Sequence, residues 1–391
     1  MIRSGKIASS EDPGTSRATT VDLEGVTVLP GFIDSHSHWI GDRDLVRQDV
    51  YRAIDSALAQ GWTSISELFV NEARLSELCT LEGAGDLRLK VGAFLPINYE
   101  FERWHWYGDY EPGLVLGPHL FLQGVKIFAD RSADGLGYQT EPPDPVMQGV
   151  LFWHPDELAA EVEAAHEAGW QIAVHATGDG GLELALAAFE PIGRAEIVAA
   201  RHRIEHASTV RDDQVDRMAD LGLIASIQRS WFHADAAKDL VRWVGRDRVT
   251  FTGRWRDLVN AGIPIAGGTD RPFALVGESG DSVDAIAFAV TRRGPTGERP
   301  PPWMATQKLT VWEVLRSLTI DAAFAQGTED SVGSIEPGKA ADLVVLSADP
   351  TRVRPRDLQM IKVVATIVDG RVEYCALTVP SDLLPFCPSE S

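Results

Sequence analysis

Histidine and carboxylate side chains occur where several apolar stretches of the chain end. The segment VLPGFIDSHSHW places His36 and His38 one residue apart, and three later apolar segments end in His175, His206 and Asp270. Because residues two apart in an extended segment share a face, His36 and His38 can point to the same side. A lone histidine on an apolar strand is more often a core or surface residue, but four imidazoles and a carboxylate together are a ligand set for zinc or a similar divalent ion.

The elements that carry these residues predict a parallel barrel. Apolar and β-branched segments alternate with amphipathic helical patterns such as 154–169, 180–193 and 211–222. Eight strands are predicted, at 28–36, 62–70, 89–97, 122–130, 171–178, 201–208, 223–230 and 263–270. This alternation favours an α/β fold, a (β/α)8 TIM barrel, over an open sheet. The carboxyl ends of the strands then meet at one face, which predicts that the histidines and Asp270 converge there.

The two chain ends predict a small β-domain. Residues 19–31 and 333–374 read as strands and turns without long helices, and Asp369-Gly370 is a typical hairpin turn. We expect a β-sandwich domain of residues 1–30 plus 331–391, beside a barrel of residues 31–330.

The charge of the chain excludes some classes of partner. Its 57 acidic and 36 basic residues give a formal net charge of −21. A field of this sign repels nucleic acid and anionic membranes, so a small-molecule substrate is expected. The N-terminal stretch lacks the apolar core of a secretory signal, and three scattered cysteines imply no disulfide framework. We therefore expect a cytoplasmic protein, with a homodimer left open.

Several motifs resemble the amidohydrolase superfamily, and more narrowly the family-3 amidohydrolase group that includes N-substituted formamide deformylases. They are VLPGFIDSHSHW, GVKIFADRS, IAVHATGDGGLELALAAFE, RHRIEHAS, GLIASIQ, GGTD and GSIEPGKAADLVVLSADP, and they extend from about residue 20 to residue 374. The resemblance implies a TIM barrel with a β-sandwich built from both chain ends. It also implies a binuclear metal centre, with His36, His38 and Asp270 on the first ion and His175 and His206 on the second.

The resemblance also implies a role for Lys126, on the fourth predicted strand. Carboxylation of its amine would supply two anionic oxygens that bridge both ions, whereas an ammonium has no free lone pair. The ions would be zinc, with manganese or iron as alternatives. Two cations lower the pKa of a shared water, and the resulting hydroxide would attack a carbonyl while Asp270 passes the proton to the leaving nitrogen. His233 could stabilise the oxyanion, whereas His202 reads rather as a packing residue.

The sequence departs from the family pattern at the predicted mouth of the barrel. The seventh strand continues as QRSW and the eighth as TDRPF, so Arg229 and Arg271 stand beside the predicted metal centre. Either these arginines form ordinary ion pairs or they bind a substrate carboxylate. Trp39 and Trp231 follow strand ends at the same face, so we expect them to contact a planar or aromatic substrate group. The chain is also short for this group, so its pocket wall is expected to differ.

These features favour an amidohydrolase that breaks a C–N bond in a small amide, N-acyl compound, formamide or cyclic amide, with aromatic or acidic character. The same metal chemistry leaves an esterase, a lactonase or a decarboxylase open. A deaminase is less favoured, because His175 and His206 are followed by ATGDG and ASTV, without a glutamate at the third position. The full ligand set disfavours a non-catalytic scaffold.

Overall fold

The computed structural model describes residues 1–9, 19–40, 50–131, 149–273 and 282–388, and the structural statements below concern these residues. Their strands are β1 (Ile2–Arg3), β2 (Lys6–Ile7), β3 (Thr27–Pro30), β4 (Phe32–Ser37), β5 (Trp62–Glu67), β6 (Lys90–Pro96), β7 (Asn98–Tyr99), β8 (Glu102–Arg103), β9 (Leu120–Phe128), β10 (Gln171–Ala176), β11 (Arg203–His206), β12 (Ile224–Gln228), β13 (Ile265–Gly268), β14 (Leu343–Leu346), β15 (Val363–Val368) and β16 (Arg371–Cys375). Their α-helices are α1 (Val50–Ala59), α2 (Glu72–Ala84), α3 (Pro155–Glu167), α4 (Asp179–Phe189), α5 (Arg194–Ala200), α6 (Asp212–Leu221), α7 (Ala237–Val244), α8 (Trp255–Asn260), α9 (Ser282–Thr291), α10 (Pro302–Ala305), α11 (Val311–Ser317) and α12 (Ile320–Gln326).

Eight parallel strands of the described chain form a nearly closed barrel. Their order is β4, β5, β6, β9, β10, β11, β12 and β13, and each neighbouring pair is parallel. The first and last strands meet at their carboxyl ends, where Asp270 N donates to His36 O at 2.8 Å and His38 N donates to Arg271 O at 2.9 Å. Each predicted strand overlaps one barrel strand, so the predicted TIM barrel is confirmed.

The helices between the strands cover the barrel with apolar faces. In α3, Leu158, Val162 and Ala165 are buried at the i, i+4, i+7 spacing of one helix face. The helix begins at Pro155, a residue suited to the first turn because the N–H that proline lacks would have no helical partner there. The predicted helical patterns at 154–169, 180–193 and 211–222 correspond to α3, α4 and α6.

The predicted first strand, residues 28–36, is two strands in the structure. β3 joins an antiparallel sheet, β4 belongs to the barrel, and the break falls at Gly31. Gly31 N donates to Asp342 O at 2.8 Å. A Cβ on Gly31 would lie 2.3 Å from Thr63 Oγ1, so only glycine fits this crossing point. Apolar periodicity could not reveal the break, because both halves are apolar.

An antiparallel sheet made from both chain ends accompanies the barrel, as predicted. Its order is β3, β14, β15 and β16, and β1 pairs with β2 in a separate hairpin. Asp369 and Gly370 form the turn between β15 and β16, with φ of 46° and 76°. Lys90 on β6 connects the sheet to the barrel through Asp342 at 2.6 Å and Asp369 at 2.8 Å. The domain boundaries near residues 30 and 331 stay a prediction.

The three cysteines imply no disulfide framework in the sequence, yet two of them form one disulfide in the structure. Cys375 at the end of β16 is bonded to Cys387, with Cα atoms 5.7 Å apart. Only the return of the chain after β16 brings this pair together, so composition could not show it. Disulfides are typical of proteins from oxidising compartments, and the cytoplasmic location stays a prediction. Within the described ranges, no helix combines the length and the apolarity needed to cross a membrane.

His202, which precedes β11, packs against α4. It is buried, and its ring stacks on Phe189 with ring centroids 5.3 Å apart. Ile172 N donates to His202 Nδ1 at 3.1 Å, so a neutral ring carries its proton on Nε2, which lies 2.9 Å from His166 Nδ1. Burial, with a smaller effect of His166, lowers the pKa of His202 to about 3. These contacts are those of a packing residue.

Replacing His202 by glutamine will remove part of the acid sensitivity of the fold. An unfolded histidine has a pKa of about 6.5, whereas the folded value is about 3. The stability that depends on neutral His202 is therefore complete above pH about 6.5 and is lost as the pH falls towards 3, by at most about 1.4 kcal/mol per pH unit. Urea unfolding at a series of pH values should show the free energies of wild type and His202→Gln converging as the pH falls.

His105→Gln is the matched control, because the His105 side chain is 68% exposed. Its free energy of unfolding should parallel that of the wild type at every pH. Parallel curves for His202→Gln as well would contradict the prediction.

Candidate metal centre

The predicted histidines and Asp270 converge at the carboxyl end of the barrel. Asp270 Oδ1 lies 3.2 Å from His36 Nε2 and 3.4 Å from His38 Nε2. One ligand atom from each of these three buried residues lies within 4.8 Å of the others. The His206 ring centroid lies 4.7 Å from that of His36 and 4.3 Å from that of His175. His206 therefore joins the first set of predicted ligands to the second.

The backbone leaves the extended conformation at two of these residues. His206 has a φ of 73° and Asp270 a φ of 55°. A left-handed backbone costs a non-glycine residue about 1–2 kcal/mol, and such residues cluster at functional sites. Glu205 and His206 are neighbours that would face opposite sides of a regular strand. The turn at His206 lets both side chains reach His36.

Lys126 approaches the centre from β9. It is fully buried, and its Nζ has no hydrogen-bond partner within the described chain. Burial lowers the pKa of Lys126 to about 8, although the charges of Glu205 and Asp270 act against this. A buried amine without a partner is unfavourable. A pKa this close to neutrality leaves a fraction of the amine uncharged and nucleophilic.

Glu205 orients His36. Its Oε2 accepts from His36 Nδ1 at 2.5 Å, so the Nε2 atom of His36 is the one that faces Asp270. Arg203, two residues earlier on β11, holds the Glu205 carboxylate through Nε and through Nη2 at 3.0 Å. Burial raises the pKa of Glu205, but Arg203 and His36 outweigh it and hold that pKa well below its usual range. Metal-binding histidines typically donate their second ring nitrogen to a carboxylate in this way.

The imidazoles of His175 and His206 also lie beside polar side chains. Gln228 Oε1 lies 2.7 Å from His206 Nδ1, and Asp130 Oδ1 lies 3.4 Å from His175 Nε2. Burial lowers the pKa of His206 to about 3 and that of His175 well below its ordinary value. Both rings are therefore neutral near pH 7, and only a neutral imidazole offers a lone pair to a metal ion.

Asp34 ties the first barrel strand to the last. Its carboxylate accepts from Thr269 N at 2.8 Å, from Thr269 Oγ1 at 2.6 Å and from Trp39 Nε1 at 2.9 Å. Burial raises the pKa of Asp34 and outweighs these hydrogen bonds. Because Thr269 precedes Asp270, the same carboxylate positions a predicted metal ligand and a predicted pocket residue.

Three of the predicted substrate-binding residues lie around this centre. The Trp231 ring centroid is 6.0 Å from that of His206, and Trp231 Nε1 has no partner among the described residues. The Arg271 guanidinium lies 5.3 Å from the Trp39 ring centroid. Their contact with a substrate stays a prediction.

Arg229 occupies a different position from the one expected. On β12, Ser226 bonds Arg203 and Gln228 lies beside His206, so these alternate residues face the barrel interior, whereas Arg229 begins the 3-10 turn that follows the strand. Its buried guanidinium donates to Ser317 Oγ at the end of α11, and burial lowers its pKa to about 10. This position does not fit a clamp for a substrate carboxylate.

His233 lies apart from the converging histidines. Its ring centroid is 5.2 Å from that of Phe288 on α9, and burial, opposed by Asp235, lowers its pKa. We find no hydrogen bond or ring contact, within the parts of the chain that the structure describes, that joins His233 to the centre. Its oxyanion role stays a prediction.

Sequence reasoning missed the polar residues that lie beside or hold the ligands, which are Asp34, Asp130, Arg203, Glu205 and Gln228. Buried polar side chains need hydrogen-bond partners, so two charged residues at alternate positions of the short strand β11 were a usable signal. The signal would not have shown which histidine each residue contacts.

Comparison of the sequence with known protein families identifies the family of this chain. The model of the amidohydrolase family matches residues 42–374. The chain belongs to the amidohydrolase family. The predicted resemblance is thereby confirmed, on a match that covers most of the chain.

Individual relatives of this amidohydrolase share 30% of its residues or fewer over the aligned regions. YtcJ of Bacillus subtilis is 30% identical over 262 residues, which are 66% of this chain and 48% of YtcJ. The N-substituted formamide deformylase of Arthrobacter pascens is 28% identical over 66% of this chain and 47% of its own. The chain thus spans about half the length of these curated relatives. Among solved structures, an uncharacterized metal-dependent hydrolase from Pyrococcus horikoshii OT3 has a TM-score of 0.67 and 30% identity, over 78% of this chain and 60% of that chain.

Replacing Glu205 by glutamine in this amidohydrolase will weaken metal binding. Glutamine keeps the shape but not the charge that fixes the proton of His36 on Nδ1, and loss of such a partner typically costs about 10- to 100-fold in metal affinity. Competition with a chelator, read by elemental analysis of the protein, measures the change.

Glu183→Gln is the control. Glu183 lies on the outer helix α4, where it pairs with Arg211 and Arg217. It should bind metal as the wild type does. Equal affinity in Glu205→Gln and wild type, with both folded by circular dichroism, would show that Glu205 does not orient a ligand.

Proposed function

We propose that this chain is a metal-dependent hydrolase that breaks a C–N bond in a small amide, N-acyl compound, formamide or cyclic amide. The observation that carries the proposal is the buried cluster of His36, His38 and Asp270, whose ligand atoms lie within 4.8 Å of one another. Family membership supports it, since one relative is named as a deformylase of N-substituted formamides.

His36, His38 and Asp270 would hold one divalent ion, and His175 and His206 a second. Three features of the centre fit such ions. The rings of His175 and His206 are neutral, the His36 and His175 Nε2 atoms lack a hydrogen-bond partner within the described ranges, and a carboxylate lies beside them. Nitrogen and oxygen ligands of this kind suit zinc, and also manganese or iron.

Lys126 would bridge the two ions in carboxylated form. Its lowered pKa of about 8 supports this, because the uncharged amine can attack carbon dioxide. The amine nitrogen then bonds to the carbon of carbon dioxide, one C=O π bond breaks, one amine proton leaves, and the carbamate shares one negative charge between its two oxygens. The buried Nζ, which has no partner in the described chain, would thereby gain groups to bind.

Bound divalent ions would supply an acidified water and polarise the substrate carbonyl. Asp270 would take the proton on its carboxylate and deliver it to the leaving nitrogen. Glu205 would keep the His36 proton on Nδ1 throughout, because its carboxylate is already paired with Arg203. Arg271 above the Trp39 ring supports a substrate with an acidic or planar group. The net charge supports small molecules rather than nucleic acid as partners.

A hydrolysis screen tests the proposal. Zinc- and manganese-loaded enzyme is assayed on N-acyl, formamide and cyclic amide compounds, with His206→Ala as the inactive reference. We expect release of amine from at least one class, loss of this activity by at least about 1000-fold in His206→Ala, and about two metal ions per chain by elemental analysis. Amide cleavage by neither loaded form would contradict the proposed function.

Lys126→Ala tests the bridging role separately. We expect the variant to lose activity and part of its bound metal, because the alanine supplies no oxygen ligand. A small carboxylate such as acetate should restore some activity, since it can supply two anionic oxygens in the space the side chain vacates. Lys126→Arg is the matched control, which keeps the charge and fills the space, and it should not respond to acetate. Full activity in Lys126→Ala would exclude the bridge.

A further inference from the structure

Four aromatic rings lie together at the carboxyl end of the barrel, beside the metal centre. They belong to Phe69, which follows β5, Tyr99 on β7, Trp104, which follows β8, and Phe128 at the end of β9, and we call them the aromatic wall. Their ring centroids are 5.5–6.2 Å apart in successive pairs, mostly edge to face. Four separate stretches of chain therefore contribute to one surface.

Phe128 holds the aromatic wall against the metal centre. Its ring centroid lies 5.1 Å from that of His175, with the planes 35° apart, and Lys126 Nζ lies 5.0 Å from the same ring. The lysine and the histidine are both predicted to bind metal. A group that rests on the accessible part of this ring would therefore lie close to His175 and Lys126.

The position of Phe128 is fixed by its backbone. Phe128 N donates to Asn98 Oδ1 at 2.8 Å, and Phe128 O accepts from Asn98 Nδ2 at 3.0 Å and from Trp153 Nε1 at 2.9 Å. One carboxamide thus satisfies both backbone groups where the strand pairing ends. A ring held in this way loses little entropy when a ligand stacks on it.

The exposure of the rings distinguishes the aromatic wall from packing inside the barrel. Phe69 is buried at the back, whereas Tyr99, Trp104 and Phe128 keep part of their surface accessible. The apolar residues of β9 itself, such as Val125 and Ile127, are completely buried. Partly accessible rings that are rigid and adjacent to polar ligands are typical of small-molecule pockets.

We propose that the aromatic wall is the subsite that binds an aromatic ring of the substrate, with Phe128 as its specificity-determining residue. This inference rests on the proposed function of the metal centre. It deepens that function by naming the substrate class as small amides that carry an aromatic ring next to the bond that is broken. The ring of such a substrate would add one more member to the edge-to-face set.

The test uses two N-acyl amides that differ only in carrying a phenyl or a cyclohexyl ring. For the metal-loaded enzyme we expect a higher kcat/KM with the phenyl compound. Phe128→Leu should lower kcat/KM about 5- to 10-fold for the phenyl compound and less than about 2-fold for the cyclohexyl compound, since one aromatic pair is lost. Equal losses for both compounds, or no preference in the wild type, would overturn the proposal.

Two further variants keep this result interpretable. Phe101→Leu is the control, because Phe101 pairs edge to face with Phe152 and is 66% exposed, outside the aromatic wall. It should leave both kcat/KM values unchanged. Tyr99→Leu serves if Phe128→Leu loses metal or fails to fold, since Tyr99 contacts Phe128 at 5.5 Å and neither His175 nor Lys126 in the described residues. It should show the same selective loss.

A binding measurement separates this proposal from the proposed function. If the loaded wild type cleaves neither amide, hydrolysis of this class fails, and calorimetric titration of the same two amides then decides the subsite. Tighter binding of the phenyl compound, reduced about 5- to 10-fold in Phe128→Leu, would support the aromatic wall as a ring-binding site. Equal binding of both amides would overturn it.

Discussion

The paired charges of Arg203 and Glu205 are the interaction on which the mouth of the barrel depends. Both side chains lie inside the barrel, out of contact with water, and a buried carboxylate is tolerated only when it is paired and hydrogen-bonded. Arg203 meets this need for Glu205, and the remaining acceptor capacity of Glu205 fixes the tautomer of His36. The same Arg203 also donates to Ser226 Oγ on the neighbouring strand. One ion pair therefore connects three barrel strands and orients a ligand.

A second buried carboxylate, that of Asp34, fixes the first barrel strand against the last. The first and last strands of a barrel come from distant parts of the chain, so their relative height needs specific bonds. Asp34 provides them by binding both the N–H and the hydroxyl of Thr269, and backbone bonds around His36 and Asp270 continue the contact. The register that closes the barrel is thus the register that brings His36 to Asp270.

Residue type and periodicity predicted the barrel and the convergence of the histidines and Asp270. That prediction requires only that parallel strands end at the same face of the barrel. The direction in which each side chain points could not be predicted from the sequence. Gln228, the last residue of β12, lies beside His206, and Arg229 in the turn after it contacts Ser317 instead. The adjacent pair Glu205 and His206 both reach His36, because the backbone turns left-handed at His206. The same limit hid the break at Gly31, which is set by contact with Thr63 on another strand. The disulfide of Cys375 depends likewise on how the chain returns.

The aromatic rings and the buried charges of this barrel serve a common physical requirement. A cluster of imidazoles and carboxylates interacts strongly only where water is scarce, because the local dielectric constant sets the strength of each contact. His38, His175 and His206 each lie against an aromatic ring, from Phe273, Phe128 and Trp231. These rings come from different segments of the chain, so apolar surface surrounds the polar centre on several sides. The surface that excludes water is then also the surface that a substrate must match, which couples the reactivity of the centre to its choice of substrate.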